Sequence, residues 1–88
     1  MTSSNCIEQL VELRTLTAGK QGVLHALKGG HEFCSRMANF GFTPGASLRV
    51  LQNRGHGPIL VFVRGTLVAL GSGEAAKVIV KKVGDDER

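Results

Sequence analysis

The chain has 88 residues, of which 42% are hydrophobic, and a formal net charge of +4. This length and composition are typical of one globular domain and exclude a disordered chain. The longest apolar run, Ile59 to Val63, is far too short to span a membrane, and no secretory signal is visible, so we expect a cytoplasmic protein. Two cysteines, Cys6 and Cys34, are too few for a disulfide framework, and we expect both to be free thiols.

The positive charge is concentrated in the middle of the chain. Between Leu13 and Val83, ten basic residues stand against two acidic ones, Glu32 and Glu74, which leaves +8 for the body of the domain. Such a basic body favours an acidic partner: nucleic acid, an anionic membrane surface or an acidic protein face. A solubilising surface without a specific target is equally compatible with this charge.

The chain is expected to open with a short helix and a strand. Ile7, Leu10 and Val11 fit one face of a helix that starts at Asn5. After a glycine-containing turn, residues 23 to 27 alternate like a strand, with Leu27 on the same side as Val23.

The clearest helix of the sequence runs from Glu32 to Phe40. Phe33, Met37 and Phe40 recur at helical spacing, and Cys34 lies beside them, so this stripe is predicted to pack in the core. Gly41 stands where a left-handed residue ends a helix, and Phe42 is placed to pack back in a Schellman motif. Residues 43 to 46, Thr-Pro-Gly-Ala, indicate a type II turn.

The second half of the chain is predicted to consist of short strands. Residues 47–53, 59–64 and 66–70 alternate, and the last two pivot on Gly65 as a hairpin. One helical turn with Ser72 as its cap and a strand over residues 77–83 follow. Five strands, with one helix between the first two, predict a mainly β fold: a small, strongly bent barrel, whose closure would leave no exposed edge.

Two motifs carry a resemblance to a known family. The first half contains Leu13-x-x-Leu16-x-x-Gly19-x-x-Gly22-Val23 and then Arg36-Met37-x-x-Phe40-Gly41-Phe42-Thr43-Pro44-Gly45, and the second contains Gly57-Pro58-Ile59-Leu60-Val61-x-Val63-Arg64-Gly65-Thr66. In this order and spacing they resemble the ferrous iron transport protein A (FeoA) family. Two departures stand out: about eleven residues precede the shared region, and Phe33-Cys34-Ser35 stands where the family often has basic residues.

The resemblance implies a five-stranded SH3-like barrel over residues 13–83, with an N-terminal extension at 1–12 and a charged tail at 84–88. It further implies an accessory or regulatory protein of ferrous iron uptake that binds the cytosolic region of the FeoB-type transporter. Contact with the membrane would then come only through that partner. Arg36 is the residue that the resemblance singles out, although it could equally be a helix residue that pairs with Glu32 four positions earlier.

The residues themselves favour binding over catalysis. No nucleophile elbow or phosphate-binding glycine loop is present, so we expect no enzyme and no required cofactor. A metal sensor or chaperone is an alternative, because His31, Glu32 and Cys34 could ligate iron or zinc at the helix start. Such a site needs three or four converging ligands, and Cys34 is otherwise explained as a small buried apolar residue.

The central hairpin is the candidate surface for a partner. Ile59, Val61 and Val63 share one face and Leu60 and Phe62 the other, and a barrel has only one inside. We therefore expect Phe62 to be exposed and, with Arg64 and Arg36, to bind the partner. A nucleic-acid-binding barrel is a further alternative from the charge, but the absence of Trp and Tyr argues against base stacking and against recognition of proline-rich peptides.

Overall fold

The computed structural model describes residues 9–82 of the chain. In this part the chain forms, in order, β1 (Leu10–Glu12), a 3₁₀ turn (Leu13–Thr15), β2 (Gln21–Leu27), α1 (His31–Asn39), β3 (Ser47–Gln52), β4 (Ile59–Val63), β5 (Thr66–Leu70), α2 (Ser72–Ala75) and β6 (Val78–Lys82).

All six of these strands belong to one antiparallel sheet, in the order β1-β6-β2-β3-β4-β5. Two register shifts interrupt it: His25 is an extra residue where β2 pairs with β6, and Leu51 is an extra residue where β3 pairs with β4. An extra residue of this kind bends its strand and increases the local twist. The two bulges therefore help the sheet to curl around one core.

Side chains of the central strands point alternately into the core and out of it. In β4, Val61 and Val63 are fully buried while Phe62 between them is 45% exposed, which confirms the predicted two faces of this strand. The core as a whole consists of Leu13, Leu16, Leu24, Phe33, Met37, Phe42, Ala46, Leu48, Val50, Ile59, Val61, Val63, Val68, Leu70, Ala75, Val78 and Val80.

The helix α1 closes the core through Phe33 and Met37, as the apolar spacing predicts. Its end is a Schellman motif: the Phe42 N–H donates to Met37 O at 3.0 Å and the Gly41 N–H donates to Ala38 O at 2.9 Å, with Gly41 at φ +102°. Phe42 is fully buried behind this turn. The prediction that Phe40 lies in the core is wrong, because Phe40 is the C-cap, where the chain already turns, and its side chain stays 38% exposed.

Two turns have the backbone that the sequence indicates. The Ala46 N–H donates to Thr43 O at 2.9 Å and Gly45 has φ +90°, as a type II turn requires. Between β4 and β5, Arg64 at φ 49° and Gly65 at φ 80° form a two-residue turn with positive φ at both positions. This is the type I′ geometry, whose twist matches that of the flanking strands.

Several expectations about the fold need correction. The described chain has six strands rather than five, since Leu10–Glu12 pairs with β6, and α1 consequently lies between the second and third strands. Leu10 and Val11 are therefore in a strand and not in the predicted N-terminal helix, whose start at Asn5 lies outside the described residues. The sheet does not close into a barrel over residues 9–82, because β1 and β5 remain its two edges. Gly71, not Ser72, caps α2.

Gly29 provides a test of the packing of α1. A Cβ atom at this position would lie 2.7 Å from Phe33 Cγ, so the ring that seals the core rests directly on the glycine. We expect Gly29→Ala to lower the free energy of unfolding by about 1–3 kcal/mol, as overpacking commonly does. Urea denaturation monitored by circular dichroism measures the change.

The matched control is Gly73→Ala, because a Cβ atom at Gly73 meets no atom within 4 Å and the position needs no positive φ. Its effect should stay within about 0.5 kcal/mol. Equal stability of the two variants would show that Phe33 does not depend on Gly29 for its place.

Candidate partner-binding face

The outward side of β3, β4 and β5 carries several exposed apolar side chains. Leu51, Phe62 and Leu67 are 46%, 45% and 57% exposed, and Leu60 and Ala69 lie on the same side of the hairpin by alternation. We call the surface formed by Leu51, Leu60, Phe62, Leu67 and Ala69 the outer apolar face. Exposed apolar residues that adjoin one another mark interaction sites more often than residues scattered singly do.

Strand register places these side chains in rows across the sheet. Arg49 is opposite Phe62, and Phe62 is opposite Leu67, so a cation, an aromatic ring and an aliphatic side chain follow one another. Leu51 joins them because it is the extra residue of the β3 bulge, between buried Val50 and half-buried Gln52. The inward side of the same strands is already filled, so residues 9–82 leave this row exposed.

Two arginines frame the outer apolar face. Arg49 and Arg64 line one open depression of about 760 Å³ together with Leu51 and Phe62. The aliphatic stem of Arg64 packs on Gly41, with its Cδ atom 3.3 Å from where a Cβ of that glycine would lie. The stem therefore lies beside the end of α1, while the residue as a whole stays exposed.

The charge of these two arginines is not compensated. Among residues 9–82 the ion pairs are those of Arg14 with Glu12 and of Arg36 with Glu74. The sequence holds no acidic residue between Glu32 and Glu74, a stretch that includes β3, β4 and β5. The depression is thus a place where a carboxylate of another molecule would be attracted.

Arg36 lies apart from this depression. Its Nη2 atom donates to Glu74 Oε2 at 2.7 Å, and its guanidinium carbon lies 6.0 Å from the centroid of the Phe33 ring. The pairing with Glu32 that the sequence suggested is wrong, because α2 brings Glu74 to the helix instead. An exposed pair of this kind contributes about 0–1 kcal/mol. The structure therefore brings Phe62 and Arg64 together and leaves Arg36 on the side of α2.

The three residues predicted to bind a metal are not gathered into a site. His31 and Glu32 are exposed and lie about 100° apart around the helix. Cys34 is half-buried, and its thiol donates to Gly29 O at 3.6 Å. Over the described part of the chain, no three side chains of His, Cys, Asp or Glu converge as metal ligands would. Metal binding by His31, Glu32 and Cys34 stays a prediction, as does the free state of Cys6, which lies outside the described residues.

Two residues that line the depression were not among the partner-binding residues predicted from the sequence. Arg49 and Leu51 stand opposite Leu48 and Val50 in the alternation, which indicates that they are exposed. What the sequence does not show is that strand pairing places Arg49 opposite Phe62 and that Leu51 is the extra residue of a bulge. Within residues 9–82, no helix has the length and apolar character that crossing a membrane requires.

Comparisons with known proteins agree on one family. The FeoA domain family matches residues 11–82. A crystal structure of an iron uptake regulatory protein (FeoA) superposes with a TM-score of 0.81 at 35% identity, covering 85% of this chain and 100% of that one. The Fe(2+) transport protein A candidate of Methanocaldococcus jannaschii is 27% identical over 63 residues, which are 72% of this chain and 76% of that protein.

A third relative bears on the fold and on metals. Stenotrophomonas maltophilia FeoA, described as a prokaryotic SH3 domain protein, was solved in complex with zinc. It superposes with a TM-score of 0.69 at 29% identity, covering 77% of this chain and 86% of that one. The curled sheet with one main helix is thus an SH3-like fold. Because the family match extends over almost all of the described residues, the chain belongs to the FeoA family, whose members are associated with ferrous iron transport.

Proposed function

We propose that this protein is a small cytoplasmic accessory of ferrous iron uptake that binds the cytosolic region of a FeoB-type transporter and regulates it. The observation that carries the proposal is the outer apolar face with its two uncompensated arginines. Membership of the FeoA family supports the connection with iron transport.

The composition of the face suits binding to a protein. Interfaces draw most of their affinity from a few aromatic and arginine anchors near the centre, and Phe62 next to Arg49 and Arg64 is such a group. The charges would speed encounter with an acidic surface, while burial of Phe62 and Leu67 would supply the affinity. At about 25 cal/mol per Å², each of these side chains could contribute on the order of 1–2 kcal/mol.

The role proposed is one of binding and not of catalysis, and no cofactor is required for it. Arg36 is assigned a smaller part than Arg64, because Glu74 already engages its guanidinium. Glu74 already neutralises part of the charge of Arg36, whereas Arg49 and Arg64 have no ion pair among the described residues.

Charge reversal at Arg64 tests the face. We expect Arg64→Glu to weaken binding to the transporter's cytosolic region by about tenfold or more, because it removes an attractive charge and adds a repulsive one. Phe62→Ala should weaken binding to a similar extent through lost apolar contact. Isothermal calorimetry at moderate salt measures both, and thermal unfolding should change by no more than about 0.5 kcal/mol for Arg64→Glu.

The control for charge is Arg54→Glu, which changes the net charge equally at an exposed position in the loop between β3 and β4. Its affinity should remain within about threefold of the wild type, since Arg54 does not line the depression. If Arg54→Glu and Arg64→Glu weaken binding equally, net charge and not the outer apolar face governs the interaction.

Metal binding is a second candidate, favoured by the zinc complex of the Stenotrophomonas maltophilia relative. We propose His31, Glu32 and Cys34 as the residues concerned, with Zn(II) or Fe(II) as the ion and sensing or delivery of iron as the role. His31→Ala should abolish Zn(II) binding measured by calorimetry, whereas His56→Ala, in the loop between β3 and β4, should not. Equal loss in both variants, or binding that survives His31→Ala, would reject this assignment.

A further inference from the structure

The free edge of the sheet at β5 offers backbone groups to another chain. In a two-residue hairpin the flanking residues, here Val63 and Thr66, exchange both backbone hydrogen bonds, and bonded and non-bonded pairs then alternate. Thr66, Val68 and Leu70 consequently bond to β4, while the N–H and C=O groups of Leu67 and Ala69 point away from it. No backbone hydrogen bond from within residues 9–82 reaches those outward groups.

This edge lacks the features that usually protect an edge strand. Natural edges are guarded by lysine, proline, a bulge, shortness or a covering element. β5 is the uncharged sequence Thr-Leu-Val-Ala-Leu, and its five-residue register with β4 contains no bulge. The opposite edge, β1, is only three residues long and carries Glu12. The contrast singles out β5 as the edge that can accept a strand.

The open part of the edge has defined ends. Beyond Leu70, the Gly71 N–H donates to Glu74 Oε1 at 3.2 Å and the Gly71 carbonyl accepts from the Ala75 N–H at 2.9 Å. Before Thr66, the chain turns at Arg64 and Gly65. Two N–H and two C=O groups, those of Leu67 and Ala69, thus remain for a partner, which corresponds to an added strand of about four or five residues.

We propose that an extended, acidic segment of the transporter's cytosolic region adds to β5 as a further strand, an inference that rests on the proposed function. Backbone hydrogen bonds to Leu67 and Ala69 set the register of this segment. Every second side chain of the segment is apolar and extends the row of Arg49, Phe62 and Leu67. A flanking carboxylate meets Arg64 at the start of β5.

Charge selects this occupant over a second copy of the chain. From Phe33 to Gly73 the sequence holds four arginines and no acidic residue, so β3, β4 and β5 of a second copy would bring no carboxylate to Arg49 and Arg64. An acidic segment would instead be attracted, since Arg49 and Arg64 are without ion pairs among the described residues.

Ala69→Pro tests strand addition, because proline removes the outward N–H of residue 69 without removing a bond to β4. The probe is the purified cytosolic region of the FeoB-type transporter from the same organism. The matched control, Ala69→Val, keeps the N–H of residue 69, and its side chain is similar in size to that of proline at the same exposed position. We expect Ala69→Pro to weaken binding by about tenfold or more and Ala69→Val by less than about threefold.

The outcomes separate the mode of binding from the proposed function. If the wild type binds and Ala69→Pro binds as tightly as Ala69→Val, strand addition is wrong and the proposed function stands. If the wild type does not bind, both strand addition and the proposed function are wrong. If sedimentation shows a dimer that Ala69→Pro dissociates, a second copy occupies the edge and the acidic segment is rejected.

Hydrogen exchange on the wild type covers the case in which Ala69→Pro does not fold. The amides of Leu67 and Ala69 should exchange at least about tenfold more slowly in the complex than in the free protein. The Val68 amide, already bonded to β4, should change little. Unaltered exchange at Leu67 and Ala69 in a saturated complex would overturn the proposal.

Discussion

One short sheet has to enclose the whole core of this protein, and it can do so only with one of its sides. Ile59, Val61 and Val63 of β4 point inward with Leu48 and Val50 of β3, and each is almost fully buried. Strand geometry then forces Phe62 and its neighbours outward. Among residues 9–82 no second layer covers them, so these apolar side chains stay exposed and form the proposed binding surface.

Local signals made a large part of this arrangement predictable. The helix, its Schellman end at Gly41, the type II turn at Gly45 and the two faces of β4 all depend on residues close together in sequence. The features that were missed depend on distant partners. β1 forms because β6 offers it an edge. Arg36 turns to Glu74 across 38 positions of sequence, and the bulge at Leu51 shows only once β3 pairs with β4.

In the candidate site, too, local sequence predicted some features, and others depend on residues that are distant in sequence. Alternation alone was enough to predict that Phe62 is exposed, and Arg64 was expected to bind the partner together with it. The positions of the two arginines around Phe62 could be found only in the structure, because Arg49 reaches Phe62 through strand pairing and Arg64 lies beside Gly41 of another turn. His31, Glu32 and Cys34 are adjacent in sequence, yet the helix spreads them and turns the Cys34 thiol toward the Gly29 carbonyl.

The most direct measurement is an NMR titration of the isotopically labelled protein with the cytosolic region of its FeoB-type transporter. If the outer apolar face is the contact, the largest chemical-shift changes will cluster at Arg49, Phe62, Arg64 and Leu67, and α1 will change little. Changes centred instead on His31 to Arg36, with Phe62 and Leu67 unaffected in a saturated complex, would contradict the assignment of this face as the site of partner binding.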